Sequence, residues 1–270
     1  MGRRLAVGTP WHASGRRDPA HTGRRARTAG AAARYGAGVL SDDLGGIASR
    51  LDAVRGRIAA AAARAGRSPG EVRLVAVSKG KPAEAIRAAY AAGQRDFGKS
   101  YAQELGEKAE ALGDLPDLAW HAIGGLQRNK AKLVARVATV VHSVDREDLA
   151  VELDRRAEAL GRTLRVLLEV NVGGEASKGG CAPGELGRLI EAASRCRHLQ
   201  PIGLMTIAPF LEDPEKVRPY FAALRALRDQ GGGPAALPEL SMGMSHDFEA
   251  AIEEGATLVR VGTAIFGARG

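Results

Sequence analysis

The sequence feature that most constrains the fold is a regular alternation of short apolar runs with longer segments of helical spacing. Past residue 70 the runs are rich in Val, Ile and Leu and have the length of β-strands. They cover residues 73–78, 95–97, 120–123, 139–144, 165–170, 201–207, 239–242 and 258–266. Helical segments lie between them, for example at 82–92, 101–112, 146–160, 183–196 and 214–230. The chain therefore repeats a unit of one strand followed by one helix.

Eight strands alternating with helices predict a single α/β domain, a (β/α)8 barrel of the TIM type. Doubly wound α/β sheets share the alternation but usually have about five or six strands. Only residues 267–270 follow the last run, so we expect the chain to end where the barrel closes. We assign the barrel to residues 41–270, beginning with an extra helix capped at 41–43. The apolar residues of that helix recur every three or four positions: Leu44, Ile47, Leu51, Val54 and Ile58.

The first 40 residues differ in composition from the rest of the chain. They contain eight arginines and one acid, Asp18, which together give +7 of the formal net charge of +8. They show no apolar periodicity, so we predict a disordered extension over residues 1–40. Polyanion binding and a transit peptide are alternative roles, but a dispensable extension is the simpler interpretation. The remaining residues hold 31 bases and 30 acids, so no nucleic-acid partner is expected for the barrel.

The cysteine content and the hydropathy bear on location and metal chemistry. Cys181 and Cys196 are too few for a disulfide framework, and no apolar run approaches the ~18 residues of a membrane span. We therefore predict a cytoplasmic protein without membrane association. His121 and His142 fall on predicted strands without metal-ligand spacing. They are interpreted as core histidines, and no metal site is predicted.

Polar residues that follow the seventh and eighth apolar runs predict an anion site. In such a barrel the functional face lies at the carboxyl ends of the strands, and phosphates often bind near the last two. Ser245 and Asp247 precede a helical segment whose N–H groups favour an anion. Gly262 permits close backbone approach, Thr263 offers a hydroxyl and Arg260 adds a positive charge. The alternative is that Ser245 is only a helix cap and that Gly262 only forms a turn.

Lysine is scarce and is concentrated at the same face of the predicted barrel. Of the eight lysines, those at 79, 81, 99, 130 and 178 lie in segments that directly follow predicted strands. Lys79 ends the first apolar run, which would surround its methylene stem and direct its amine towards the mouth. Partial burial lowers the pKa of a lysine and favours Schiff-base chemistry. A surface lysine is the plain alternative, but an amine opposite a phosphate site is the combination that pyridoxal 5′-phosphate (PLP) requires.

Several segments of the sequence match the pattern of one family. The most specific matches lie at 240–245 together with Asp247, and at 259–267; others lie at 74–79, 120–124 and 203–205. On these residues the chain resembles the pyridoxal phosphate homeostasis proteins, single barrels similar to the N-terminal domain of alanine racemase. The resemblance extends over about residues 74–267.

This resemblance implies a set of cofactor contacts and a role. Lys79 is expected to form the internal aldimine with PLP, and Lys178 matches a lysine suspected of a secondary contact. Further contacts are expected from Ser100 and Met244 beside the cofactor, and from Ser245, Arg260, Gly262 and Thr263 at its phosphate end. Family members are thought to buffer the cofactor or deliver it, without an established catalytic activity. We therefore expect a monomeric PLP carrier that serves apo PLP-dependent enzymes.

A PLP-dependent amino-acid racemase is the alternative function. Racemisation needs acid–base groups on both faces of the Cα atom of the substrate. The sequence nominates only Lys79 for that task. In the racemases a C-terminal β-domain supplies the opposing tyrosine, and we expect no such domain in this chain. Carriage of the cofactor is therefore preferred to catalysis.

The sequence departs from the usual family pattern near the predicted site. Its Ser-Lys-Thr-Lys motif contains Gly80 in place of Thr, and its Phe-Gly-Glu-Asn-Tyr motif contains Lys99 and Ser100 in place of Glu and Asn. Gly125 stands where Pro or His is common. Because Lys99 reverses a charge beside the mouth, we expect it to alter cofactor affinity or to admit a different anion.

Lys99 also creates a rival motif. Residues 93–100 satisfy the G-x-x-x-x-G-K-S pattern of a nucleotide-binding P-loop. A P-loop needs its first glycine directly after a buried strand, whereas Gly93 follows a predicted helix and 95–97 is a predicted strand. Nucleotide hydrolysis is therefore kept only as a minor alternative.

Overall fold

The computed structural model describes residues 44–268, which form a closed barrel of eight parallel strands in sequential order. The predicted fold class is confirmed. The strands are β1 (Arg73–Val77), β2 (Asp96–Lys99), β3 (Ala119–Ala122), β4 (Val140–Val144), β5 (Leu164–Glu169), β6 (Leu199–Met205), β7 (Glu239–Ser241) and β8 (Leu258–Val261). β1 pairs with β2 on one side and with β8 on the other, which closes the sheet. The predicted extension and N-cap lie outside the described residues, and the division at residue 40 stays a prediction.

Helices surround the barrel, and most of them connect consecutive strands. They are α1 (Ile47–Arg64), α2 (Ala83–Ala91), α3 (Ala102–Ala111), α4 (Ala131–Val137), α5 (Glu147–Glu158), α6 (Leu186–Arg195), α7 (Arg218–Gln230), α8 (Gly233–Ala236), α9 (Phe248–Glu253) and α10 (Thr263–Phe266). Short 3-10 helices lie at Pro69–Glu71, Arg128–Lys130, Pro183–Glu185 and Pro214–Val217. Between residues 44 and 268, no helix has the length and apolar character needed to cross a membrane.

Helix α1 forms because its apolar residues repeat on one face, as the spacing predicts. Ile47, Leu51, Val54 and Ile58 are all buried, and the helix packs against α2, α9 and α10. Gly66 follows the helix with φ at 66°, a left-handed conformation that favours glycine and ends helices. Helix α1 therefore covers the side of the barrel where β8 meets β1.

The barrel interior contains an apolar layer with polar residues next to it. The apolar layer consists of Val75, Val140, Leu167, Ile202, Met205 and Leu258. Side chains alternate across a strand, so residues two positions further along face the same interior nearer the carboxyl end. On β4, β5 and β8 those residues are His142, Glu169 and Arg260, and all three are buried. The interior is therefore charged where it meets the functional face.

Most predicted strand boundaries are shifted by one or two residues, for example 201–207 against the observed Leu199–Met205, and two of the differences bear on the site. The strand predicted at 258–266 ends at Val261, because the apolar residues after Gly262 belong to the short helix α10. The strand predicted at 95–97 instead runs from Asp96 to Lys99, so Lys99 is a strand residue and is not part of the following loop. A short apolar run does not by itself distinguish a strand from a buried helical turn.

Candidate cofactor site

Lys79 lies at the carboxyl end of β1, in a turn closed by a hydrogen bond from the Lys81 N–H to the Ser78 carbonyl oxygen (3.1 Å). Its side chain is half-buried. Among residues 44–268 its amine has no hydrogen-bond or ion-pair partner. A primary amine without a partner at the mouth of a barrel is available to an electrophile.

The loops after β7 and β8 meet beside the end of β1. The Ser245 Oγ accepts a hydrogen bond from the Gly262 N–H at 3.2 Å. A Cβ atom at Gly262 would lie 3.1 Å from the carbonyl oxygen of Val77, two residues before Lys79, so glycine permits this close approach. The structure therefore brings the sequence-predicted residues Lys79, Ser245 and Gly262 to one end of the barrel. Thr263 follows directly and is exposed.

Asp247 has a different task from the one its position suggested. Its Oδ1 accepts a hydrogen bond from the Met244 N–H at 2.6 Å, and its own N–H donates to the Met244 carbonyl oxygen at 3.1 Å. This contact closes the loop that carries Met244 and Ser245, both half-buried. Helix α9, which begins at Phe248, has only six residues. Asp247 therefore shapes the loop. At the start of α10 the Ile265 N–H already donates to the Gly262 carbonyl oxygen, so the N–H groups there without an acceptor among residues 44–268 are those of Thr263 and Ala264.

Arg260 is buried inside the barrel, and its hydrogen-bond partners are neutral. Its Nη1 donates to the Ser241 Oγ at 2.6 Å and its Nη2 to the Thr206 carbonyl oxygen at 2.8 Å. Burial lowers the pKa of Arg260 to about 10, an effect that the negative charges of Glu169 and Asp247 oppose. Within the described part of the chain, no carboxylate lies within ion-pair distance of the guanidinium. The site therefore contains a buried cation without a direct counter-charge.

Glu169 is the acidic residue whose charge acts most strongly on Arg260, and it was not predicted from the sequence. Burial raises the pKa of its carboxyl to about 7; the charge of Asp145 adds to the increase, and Arg260 opposes it. Its Oε2 is buried without a hydrogen-bond partner. Gly179 lies against the carboxylate, where a Cβ atom would stand 3.3 Å from Oε1. A charged residue that ends the otherwise apolar run of β5 is the sequence signal that could have identified it.

A continuous chain of hydrogen bonds crosses the barrel interior from Arg260 to Asp96. The Ser241 Oγ lies 2.9 Å from His142 Nδ1, His142 Nε2 lies 2.8 Å from His121 Nδ1, and His121 Nε2 lies 2.9 Å from the Asp96 Oδ1. Burial, the neighbouring His121 and the positive charge of Arg260 hold the pKa of His142 well below its usual range, so that ring is neutral. The single hydrogen of the neutral His142 ring is donated either to the Ser241 Oγ or to the His121 Nδ1, depending on the tautomer.

Lys99 lies away from the mouth, contrary to the prediction. It shares the outward face of β2 with Phe97, and its side chain is completely buried. Its Nζ donates to the Ser78 carbonyl oxygen and, at 2.8 Å, to the Glu104 Oε1 on α3. The Lys99 charge is therefore not presented to the mouth, and its effect on cofactor affinity stays a prediction. The P-loop hypothesis is wrong, because Gly93 follows helix α2 and Lys99 lies within a strand.

The two remaining predicted contacts lie at the same end of the barrel. Ser100 follows β2 directly and is half-buried; a Cβ atom at Gly124 would stand 2.3 Å from the Ser100 carbonyl oxygen, so the two backbones approach as closely as glycine permits. Lys178, in the loop after β5, pairs with Glu175 at 2.9 Å and donates to the Ala208 carbonyl oxygen at 2.9 Å. The amine of Lys178 therefore already has two partners, and these contacts stabilise the loop.

The residues at this end fit a phosphorylated aldehyde. Four buried polar atoms in residues 44–268 lack a hydrogen-bond partner, and all of them lie at or just after the carboxyl ends of β1, β4 and β5: Ser78 Oγ, Ser143 Oγ, Glu169 Oε2 and Asn171 Oδ1. Unpaired buried polar atoms are rare in native proteins and indicate a place where a ligand or water completes the bonding. A free amine and a buried cation accompany them. No group of three or more metal-ligating side chains was found in this part of the chain.

Sequence comparisons identify the relatives of the chain. A family model described as the alanine racemase N-terminal domain matches residues 49–270. A pyridoxal phosphate homeostasis protein of Aquifex aeolicus is 50% identical over 222 residues, which cover 82% of this chain and 97% of the relative. A protein of the same name from Pseudomonas aeruginosa is 51% identical over 225 residues, which cover 83% and 96%.

Solved structures give the same result. PipY of Synechococcus elongatus with PLP bound superposes with a TM-score of 0.72 at 42% identity, covering 82% of this chain and 100% of that chain. An alanine racemase of Streptomyces coelicolor superposes with a TM-score of 0.63 at 24% identity over 59% of its length, a similarity that concerns the fold alone. With this fold and these relatives, the chain belongs to the family of pyridoxal phosphate homeostasis proteins, within the alanine racemase N-terminal domain family.

Proposed function

We propose that this protein binds PLP covalently through Lys79 and serves as a carrier or buffer of the cofactor in the cytoplasm. The observation that carries the proposal is the unpartnered Lys79 amine beside the contact between Ser245 and Gly262. PipY, a relative with 42% identity, is described with PLP bound, and closer relatives are named for PLP homeostasis. When bound, PLP supplies an aldehyde that reacts with a primary amine and a phosphate that needs hydrogen-bond donors.

The proposed contacts follow from what each residue offers. The Ser245 and Thr263 hydroxyls would donate to the phosphate, and Gly262, whose N–H already donates to the Ser245 Oγ, would let the phosphate approach the backbone closely. Arg260 would add positive charge for the phosphate end from inside the barrel, where its hydrogen-bond partners are neutral. Ser100 and Met244 would line the sides.

Lys178 is proposed as a secondary contact only. Its amine already bonds to Glu175 and to the Ala208 carbonyl oxygen, so an anion would have to replace or share these partners. A weaker second binding event, lost in Lys178→Ala, would support this assignment.

We propose that the protein is a monomer and that it transfers PLP to apo-enzymes. Among the described residues, the exposed large hydrophobic side chains are Tyr101, Val151, Leu160 and Phe210. Val151 lies on α5 and Leu160 just after it, whereas Tyr101 and Phe210 lie elsewhere in the chain, and an obligate interface usually buries a larger apolar surface. Tyr101 and Phe210 follow β2 and β6, at the end of the barrel that holds the site.

A racemase-like activity is the second candidate, and Glu169 is the observation that favours it. Proton exchange at Cα on two faces needs a second acid–base group besides the lysine, with a pKa near the working pH. The carboxyl of Glu169 has its pKa raised to about 7 inside the site. Loss of deuterium from Cα-deuterated alanine at a rate above that of free PLP, abolished in Glu169→Gln, would establish this activity.

The decisive experiment is a titration of the purified protein with PLP, followed by borohydride reduction and peptide mapping. We expect a visible absorption band that saturates at one equivalent, and reduction that places the label on Lys79. Lys79→Ala should lose the band, whereas Lys81→Ala, two residues away, should retain it. A label distributed over surface lysines, or equal bands in both variants, would contradict the proposal.

A further inference from the structure

The residues immediately before and after Lys79 are both hydrogen-bonded to one buried ion pair, Lys99 and Glu104. The Lys99 Nζ donates to the Ser78 carbonyl oxygen, immediately before Lys79. The Glu104 Oε1 accepts the Gly80 N–H at 2.9 Å, immediately after it, and also accepts from the Lys99 Nζ at 2.8 Å. The pair thus bonds to the peptide groups that flank Lys79 and makes no contact with its side chain.

We infer that the Lys99–Glu104 pair positions the Lys79 amine for capture of the cofactor, an inference that rests on the proposed function. Lys99 and Glu104 act here as positioning residues, because neither faces the mouth. Lys99 is enclosed between the barrel wall and α3, with none of its side chain exposed, and Glu104 is only 19% exposed.

The turn at Lys79 needs such support because of Gly80. Gly80 has φ at 71°, and a Cβ atom there would meet nothing within 4 Å, so no side-chain packing holds this residue. Glycine also has the greatest conformational freedom of any residue. The hydrogen bond from the Gly80 N–H to Glu104 therefore replaces the restraint that a side chain would give. Gly80 and Lys99, two of the departures seen in the sequence, meet in this one set of contacts.

The charges make the pair rigid. Burial lowers the pKa of Lys99, and the hydrogen bond and charge of Glu104 oppose that decrease. Each ion would lose its compensating charge if the other moved away, which is costly for buried groups. The geometry of the pair, and with it the path from Ser78 to Gly80, is consequently well defined.

The test compares variants of the pair in the full-length chain. Lys99→Met and Glu104→Ala break it, Glu104→Gln keeps an acceptor for Gly80, and Lys99→Met with Glu104→Gln removes both charges so that none is left buried alone. Lys132→Met is the matched control, since Lys132 is an exposed lysine on α4. Thermal unfolding establishes that each variant folds.

Two measurements then decide the matter. In the ligand-free protein, hydrogen–deuterium exchange at the Gly80 amide should be faster by about tenfold or more in Glu104→Ala and Lys99→Met than in Lys132→Met. In PLP titrations the same two variants, and the double variant, should bind about tenfold more weakly, because the amine is no longer preorganised. Glu104→Gln should retain most of the wild-type affinity.

Three outcomes overturn the inference. PLP affinity equal to that of Lys132→Met in the folded variants would show that the pair only stabilises the fold. Unchanged exchange at Gly80 would show that the pair does not restrain the turn. Absence of PLP binding by the wild-type protein would contradict the proposed function and, with it, the positioning role for the cofactor. Faster exchange at Gly80 in the ligand-free variants would identify that case, because it would show that the pair restrains the turn although no cofactor binds.

Discussion

The barrel buries two cations at strand ends, and it treats them in opposite ways. Lys99 on β2 points outward and meets the carboxylate of Glu104 at 2.8 Å. Arg260 on β8 points inward and bonds to a hydroxyl and a carbonyl oxygen, both neutral. Lys99 is thus neutralised by a residue of the same strand–helix unit, whereas Arg260 has Glu169 and Asp247 only as more distant charges.

The difference separates structural from ligand-directed charge. A buried cation with its own carboxylate has little attraction left for a ligand, because the field of the pair falls off quickly. A buried cation held by neutral groups keeps its field for whatever enters the barrel mouth. By this criterion we propose Arg260, and not Lys99, as a ligand-binding residue, although the sequence presents both as basic residues near a strand end.

The largest expected effect comes from Arg260→Met set against Lys99→Met. Removal of Arg260 should lower PLP affinity by about 100-fold, since a hydrogen bond to a charged group contributes roughly 1.5–3 kcal/mol. Lys99→Met should lower it by only about tenfold and should reduce the thermal stability of the ligand-free protein more, because it leaves the Glu104 charge unpaired. Equal affinity losses, measured by the same spectroscopic titration, would remove the distinction between the two cations.

Glu169→Gln extends the comparison to the pH dependence of the free energy of unfolding. A carboxyl with its pKa raised from 4.5 to about 7 binds more protons in the folded state than in the unfolded state. Stability should therefore decrease as pH rises between these values and level off above about 7. Wild type should lose about 2–3 kcal/mol relative to Glu169→Gln across this window.

Urea unfolding of the ligand-free proteins at pH 4.5 and pH 8 measures this difference. Glu107→Gln, on the exposed face of α3, is the control and should follow the wild-type pH dependence. A parallel pH dependence of Glu169→Gln and wild type would mean that folding does not raise the pKa of the Glu169 carboxyl.

Ser241→Ala removes one of the two neutral hydrogen-bond partners of Arg260, and its expected effect is smaller. It leaves the Arg260 Nη1 and the His142 Nδ1 without their partner, which should cost about 2 kcal/mol in the free energy of unfolding. Ser143→Ala is a close control, because the Ser143 Oγ is buried without a partner and its removal should cost little.

Nitrogen-15 NMR of the histidines complements this measurement. His142 should appear as a neutral ring in wild type, because its burial lowers its pKa. A doubly protonated His142 ring at neutral pH would contradict this expectation.

Much of the fold was predictable because it depends on local pattern. Alternation of apolar runs and amphipathic helices requires parallel strands with helices outside, and eight repeats suffice to close a barrel. The boundaries were less predictable. The apolar residues after Gly262 satisfy a strand and a short helix equally well, and only the packing of Ile265 and Phe266 against the barrel selects the helix.

The candidate site was predictable where position along the strand suffices. Lys79, Ser245 and Gly262 follow strands, and all strand ends of a barrel meet at one face, so their proximity follows from topology. The direction of the Lys99 side chain does not follow from topology, because it depends on strand register. β2 begins one residue later than predicted and continues to Lys99. Glu169 was hidden for a related reason, since burial inside the barrel is a property of eight strands together.

The amino-acid sequence by itself determined the barrel, its functional face and the lysine that projects there, because each follows from periodicity and chain order. Tertiary structure alone decided which charges are neutralised. Side chains from distant parts of the chain, such as Asp96 and Arg260, become linked only when the sheet closes. Electrostatic roles depend on distances and burial, and neither exists until the chain has folded.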